Sequence, residues 1–469
     1  MMIPFYRKSL LALAALAMFN ANIRAEVSLP AVFTDNMVLQ QKSNVPVWGW
    51  GTASETLKIV GSWATQDTVK VEVAPDGSWK TTLPTASAGG PYTLQVMGSS
   101  TRTLRNVMLG EVWLCSGQSN MEWKASYGLV NKDQEIADAT YPDIRFFTAK
   151  LRGALQPQNN CEGQWEVCSP EVMSQTSAIA YFFGRQLYKT LQVPVGLIVS
   201  AWGGTPAEVW VPQEKIEQHP ALCANKPTQS YPWWPIESGR LYNQMIHPFM
   251  PYRIAGTIWY QGESNQDRYR TYHAVMKELI ESWRKGFGTE FPFYFVQIAP
   301  HTYGAKDNGP ALLREQQELT TTQVTGTGMV VISDLVNDVR NIHPIDKQHV
   351  GLRLANMALA NDYGLSMKGV YSPTFESITF EKNKAIIRLK HAEEGLLCKQ
   401  KKITGFKIAS ADGNWIDATV KIAGNTLVVL APKLKRPTQV TYCFDEATIG
   451  NLFSKEGLPV APFNSNRKF

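Results

Sequence analysis

Residues 106–123, NVMLGEVWLCSGQSNMEW, form a near-continuous apolar run that stops at a glycine flanked by two serines, Ser116 and Ser119. A run without polar alternation reads as a strand buried on both faces, the hallmark of a parallel sheet covered by helices on each side. Such sheets bind ligands beyond the carboxyl ends of their strands. The abrupt change from Leu114 to Ser-Gly-Gln-Ser therefore marks a candidate site as well as a strand end.

The same rhythm continues along the chain. VPVGLIVSAWGG (193–204), IAGTIWYQGESN (254–265), FPFYFVQIA (291–299) and GMVVISDL (328–335) read as further buried strands. Between them SAIAYFFGRQLYKTL (177–191), YHAVMKELIESWRKGF (272–287), ALLREQQELTTTQ (311–323) and DKQHVGLRLANMALANDY (346–363) carry the apolar spacing of helices. The middle block, residues 107–368, is thus predicted to be an α/β domain with a parallel sheet flanked by helices.

It is bracketed by β-rich segments. Residues 26–106 contain short strand-like runs such as VPVWGWG and TLKIVGS, separated by turn signals including Pro75-Asp76-Gly77; residues 369–469 return to the same pattern. Residues 1–25 read differently: Arg7 and Lys8 precede the apolar SLLALAALAMF, and small residues follow to Ala25. This is a secretory leader, too short to span a bilayer, and it predicts export to the periplasm or medium with no membrane span in the mature chain.

Composition narrows the function. The net charge of +6 includes Arg7, Lys8 and Arg24, so the chain beyond the leader carries +3, too weak and dispersed for nucleic acid. The six cysteines show no C-x-x-C pattern, so neither a zinc nor a redox site is expected, and no metal or organic cofactor is implied. Export permits disulfides, with Cys161 and Cys168 the nearest pair.

Four strand ends carry the chemistry: CSGQSN, SAWGGT, QGES and the loop SDLVNDVRNIHP that contains His343. A serine hydroxyl becomes nucleophilic when a histidine within hydrogen-bond reach removes its proton, and acyl transfer also needs donors aimed at the oxyanion. Serine, glycine, glutamine and histidine are the components of a serine esterase. The G-x-S-x-G elbow is absent, which disfavours an α/β-hydrolase.

The blocks GEVWLCSGQSNMEW, LYNQMIHPFMPYRIAGTIWYQGESN, FPFYFVQIAP, LLREQQ and IHPIDKQHVGLRLA together resemble the sialate O-acetylesterases, within the SGNH-hydrolase superfamily. The resemblance runs from about residue 27 to the C-terminus and implies an SGNH-like fold and removal of O-acetyl groups from sialic acids or other acetylated glycans. It selects Ser119 over Ser116 as nucleophile and His343 as base, although Asp346-Lys347-Gln348-His349 also meets the superfamily's Asp-x-x-His spacing. It implies oxyanion donors at the Ser119 N–H, at Gly203 or preferably Gly204, and at Gln261, which replaces the superfamily's usual asparagine. Asp338 is the favoured acid, with Asp334, Asp346 or a Ser–His dyad as alternatives. For a sugar, Trp123 and Trp202 are candidate stacking surfaces, as are Trp233 and Trp234, and Arg240 and Arg268 are candidate partners for a carboxylate. A glycan-binding protein without activity is the rival from another class.

Overall fold

The computed structural model describes residues 26–305 and 307–467, so the leader of residues 1–25 lies outside the described residues. The opening stretch is the end of a long strand, Thr101–Gly117 (β1), buried from Val107 onward. Further strands follow at Tyr141–Thr148 (β2), Trp165–Cys168 (β3), Val195–Ala201 (β4), Gly256–Tyr260 (β5), Phe293–Val296 (β6) and Thr327–Val330 (β7). They stand in the order β7-β6-β5-β1-β4-β2-β3. All neighbours pair parallel except β3, which runs antiparallel to β2.

β1 lies at the middle, where successive strands depart to opposite sides. This is the switch point at which open α/β sheets form a crevice. Helices Ala178–Leu191 (α1) and Lys347–Asn361 (α4) pack together on one face, and Tyr272–Phe287 (α2) packs with Gly309–Gln323 (α3). Along β1, Trp113 and Cys115 enter the core that contains α1 and α4, while Val112 and Leu114 enter the core that contains α2. Alternate residues of one strand thus fill two cores, which is why this run shows no polar alternation.

Periodicity locates α1 to α4 and five of the seven strands, and misses β2 and β3. In YPDIRFFT the proline and charged residues break the apolar run, and WEVC is a four-residue strand at the sheet edge, where one side needs no neighbour. From Thr101 to Leu109, β1 pairs antiparallel with Gly89–Met97, so one strand serves both the β-rich N-terminal segment and the α/β sheet. The C-terminal segment builds two four-stranded antiparallel sheets that share a core including Ile387, Leu427, Ile408 and Val440.

All six cysteines are free thiols, so Cys161 and Cys168 form no disulfide. Among the described residues no helix is long and apolar enough to cross a membrane, and no cluster of potential ligands could hold a metal.

Candidate functional site

β1, β4 and β5 end side by side, with Gly117 paired to both Ala201 and Tyr260. Gly117 has φ +137°, and a Cβ there would run into the Tyr260 backbone, so glycine lets the strand turn out of the sheet at this point. The next residue, Gln118, donates its N–H to Tyr260 O at 2.9 Å and precedes the short helix Ser119–Glu122. Ser116 remains in the sheet, its hydroxyl donating to Ser200 O at 2.6 Å. Ser119 instead opens into a cavity, where its Oγ lies 2.9 Å from His343 Nε2 across 224 residues of sequence.

The imidazole is held without a carboxylate. Its ring stacks on Trp123 with centroids 4.6 Å apart and planes at 29°. The His343 backbone N–H donates to Asn341 Oδ1 at 2.9 Å. Among the described residues no carboxylate hydrogen-bonds to the ring. Burial, with Lys347 and His301 as nearby cationic groups, depresses the His343 pKa to about 4. The ring is therefore neutral, and able to accept a proton, around neutral pH.

A buried network ties these parts together. Asn120, beside Ser119, accepts from Lys347 Nζ at 2.5 Å and donates to Glu263 Oε1 at 2.7 Å and to Ile342 O at 3.1 Å. One side chain thereby links the residue after the serine to the residue before the histidine. Lys347 sits 5.4 Å from the Trp123 ring centre, behind the imidazole stack. Burial pushes its pKa down to about 7 and raises that of Glu263. Sequence reasoning did not reach Asn120 or Lys347; both lie inside the quoted motifs, but nothing in their spacing foretells that they meet.

Several expected residues stand elsewhere. Asp338 is not brought to His343: its carboxylate closes a local loop with Arg340, accepting from the Arg340 N–H at 2.9 Å and from its guanidinium at 2.9 and 3.0 Å. Asp334 makes two hydrogen bonds, at 2.7 and 2.8 Å, to Arg353. Asp346 and His349 pair with each other at 2.8 Å while Asp346 caps α4.

Gln261 is fully buried, and both amide protons are taken, by Asn265 Oδ1 at 2.7 Å and Thr205 O at 3.3 Å. Its carbonyl accepts from Tyr272, so it has no N–H free for an oxyanion. Gly203 also spends its N–H, on Glu122 Oε2 at 2.6 Å. Gly204 and Ser119 differ from both. The Gly204 N–H meets no acceptor among the described residues, and the Ser119 N–H begins a helix, where it has no intrahelical partner. Gly204 has φ +78° and leaves no room for a Cβ, which would stand 2.6 Å from the Trp234 ring.

The cavity holds about 1100 Å³ and is lined by Ser119, Gly204, Glu263, Tyr303 and His343 at its base. Trp202, Tyr231, Trp233 and Trp234 form an aromatic wall. Trp123 is not part of the lining; it supports His343 from behind. Arg268 reaches the lining but is committed to Asp267 at 2.9 Å and Ser264 O at 2.8 Å. Arg240 stands outside this cavity, 3.5 Å from Glu237.

A serine and a neutral imidazole at hydrogen-bond distance, beside two unspent backbone N–H groups, suit acyl transfer through a covalent intermediate. The depressed imidazole pKa predicts that kcat/KM at pH 5.5 stays within about two-fold of its value at pH 7, whereas an unshifted histidine near 6.5 would give about a ten-fold loss. A pH–rate profile checks this; an acid limb at pH 6.5 would show that the base titrates as an ordinary imidazole.

Residues 109–360 match the family model described as carbohydrate esterase, sialic acid-specific acetylesterase. The chain is 31% identical over 471 residues to the sialate O-acetylesterase of Mus musculus, covering 85% of this chain and 86% of that one. It is 30% identical over 444 residues to the sialate O-acetylesterase of Homo sapiens, with 85% and 83% covered. Among solved structures it is similar to a carbohydrate acetylesterase from Xanthomonas citri, with a TM-score of 0.87, 32% identity, and 94% of this chain and 100% of that chain covered.

Proposed function

Since this chain belongs to the sialic acid-specific acetylesterase family of carbohydrate esterases, we propose that it removes O-acetyl groups from sialic acids with Ser119 as nucleophile and His343 as general base. The observation that carries the reading is the 2.9 Å contact between Ser119 Oγ and His343 Nε2 at the base of an open cavity.

Ser119 Oγ attacks the acetyl carbonyl carbon while His343 Nε2 takes its proton. The oxyanion forms against the Ser119 and Gly204 N–H groups, which have no other acceptor to exchange for it. Collapse expels the sugar hydroxyl, protonated by the imidazolium, and leaves acetyl-Ser119. Water, deprotonated by the same imidazole, then releases acetate and restores the serine. Stacking on Trp123 and the Asn120 network take the orienting role that a carboxylate fills in a triad, so the working unit is a Ser–His dyad. Export to the periplasm or medium is part of the same proposal, supported by the charged, apolar and small-residue succession of residues 1–25.

The test is acetate release by the purified protein from O-acetylated sialic acid and from acetylated xylan, each with the Ser119→Ala variant as control. Faster release from the sialic acid, lost in the variant, is the expected result. Release mainly from xylan would transfer the same chemistry to another glycan, and no release from either would leave only a glycan-binding protein.

A further inference from the structure

At about 1100 Å³ the catalytic cavity exceeds the roughly 300–1,000 Å³ of pockets that enclose one small ligand. It also does not end at its aromatic wall. Trp202, Tyr231, Trp233 and Trp234 line, in addition, an adjoining cavity of about 370 Å³ that Glu237 and Arg240 complete.

Exposed apolar side chains gather here. Trp233 is 63% exposed and Tyr231 37%, and Leu151, also on the catalytic cavity's lining, is 41% exposed. Large aromatic surface left in water beside a catalytic cavity marks a place a ligand covers. The rings are arranged rather than scattered: Tyr231 lies against Trp234 with centroids 4.6 Å apart at 32°, and Trp233 meets Trp234 edge-on at 5.9 Å.

We propose that this adjoining cavity is a second subsite, which binds a neutral sugar of the glycan chain to which the acetylated sialic acid is attached. The proposal rests on the esterase reading above and extends it from a free acid to a linked one. A pyranose offers an apolar C–H face, which suits an aromatic ring, and a rim of hydroxyls, which suits a paired donor and acceptor such as Arg240 and Glu237. Because that arginine and that glutamate stand 3.5 Å apart, their charges balance, and the subsite favours an uncharged residue over an acidic one. The recess is of single-sugar size and shares its aromatic wall with the catalytic cavity, which fits the next residue of an oligosaccharide better than the broad, flat area of a protein or membrane surface.

The experiment compares kcat/KM for an O-acetylated free sialic acid with that for the same acid joined to a neutral disaccharide, in the wild type and in Trp233→Ala and Arg240→Ala. The linked substrate should be favoured about ten-fold, mainly through KM, and both variants should lose several-fold more on the linked substrate than on the free one. Thermal melting checks that the variants are folded. Equal kcat/KM for the two substrates in the wild type, or equal losses on both in the variants, would overturn the second subsite and leave the esterase reading standing. No turnover of either substrate by the wild type would overturn both.

Discussion

Ser119→Ala is expected to lower kcat by about a million-fold, the scale seen when the nucleophile of a serine hydrolase is removed. Its Oγ bonds to His343 and faces the cavity, so the variant should fold with an unchanged melting temperature. Ser116→Ala should behave in the opposite way. Ser116 is fully buried and its hydroxyl bonds β1 to Ser200 O on β4; losing that donor leaves a buried carbonyl with one partner fewer, at a cost of about 1–3 kcal/mol in stability, while turnover persists. Initial rates and melting curves on the two variants separate the roles. An inactive Ser116→Ala beside an active Ser119→Ala would reverse the assignment.

His343→Ala should cost nearly as much as Ser119→Ala, and the double variant should be little worse than either, because nucleophile and base act as one unit. His349→Ala should stay within about two-fold of wild type, since His349 is spent on Asp346 at the surface. The informative companion is Asp338→Asn. In a triad the equivalent change costs about 10⁴-fold in kcat, whereas a histidine held by the Trp123 stack predicts less than about a ten-fold loss. A triad-sized loss would mean that Asp338 leaves Arg340 and reaches His343 during turnover, and the dyad would have to be abandoned. Measuring His349→Ala and Asp338→Asn over the same pH range as the wild type also shows whether the acid limb stays near the depressed value of His343.

How far each feature could be read from the chain follows from how local its cause is. The pattern of apolar residues records burial, so the buried strands around NVMLGEVWL and the helices from Ala178 and Tyr272 were legible, whereas β2, interrupted by Pro142, Asp143 and Arg145, and the short edge strand β3 left little pattern. The order of the long motifs was enough to suggest the family and to single out Ser119 and His343 as candidates. Charged and amide side chains obey no such pattern. Asp338 was favoured over Asp334 and Asp346 only because it shares the loop of His343, and each of the three is a carboxylate near that histidine in sequence. They differ in the partner each one takes: Arg340 and His349 are local to Asp338 and Asp346, whereas Arg353 reaches Asp334 from α4.

Gln261 illustrates the same limit. Its position in QGES suggests a donor, but Asn265 four residues on, Tyr272 at the start of α2 and the distant Thr205 saturate its amide. Asn120 and Lys347 are 227 residues apart and meet only because β1 and α4 share one end of the sheet. The sequence by itself determined the α/β architecture and the kind of chemistry, since burial period and motif are properties of neighbouring residues. Only the tertiary structure decided which polar groups are free to act, because a hydrogen bond of a few ångströms depends on which distant segments the fold brings within reach.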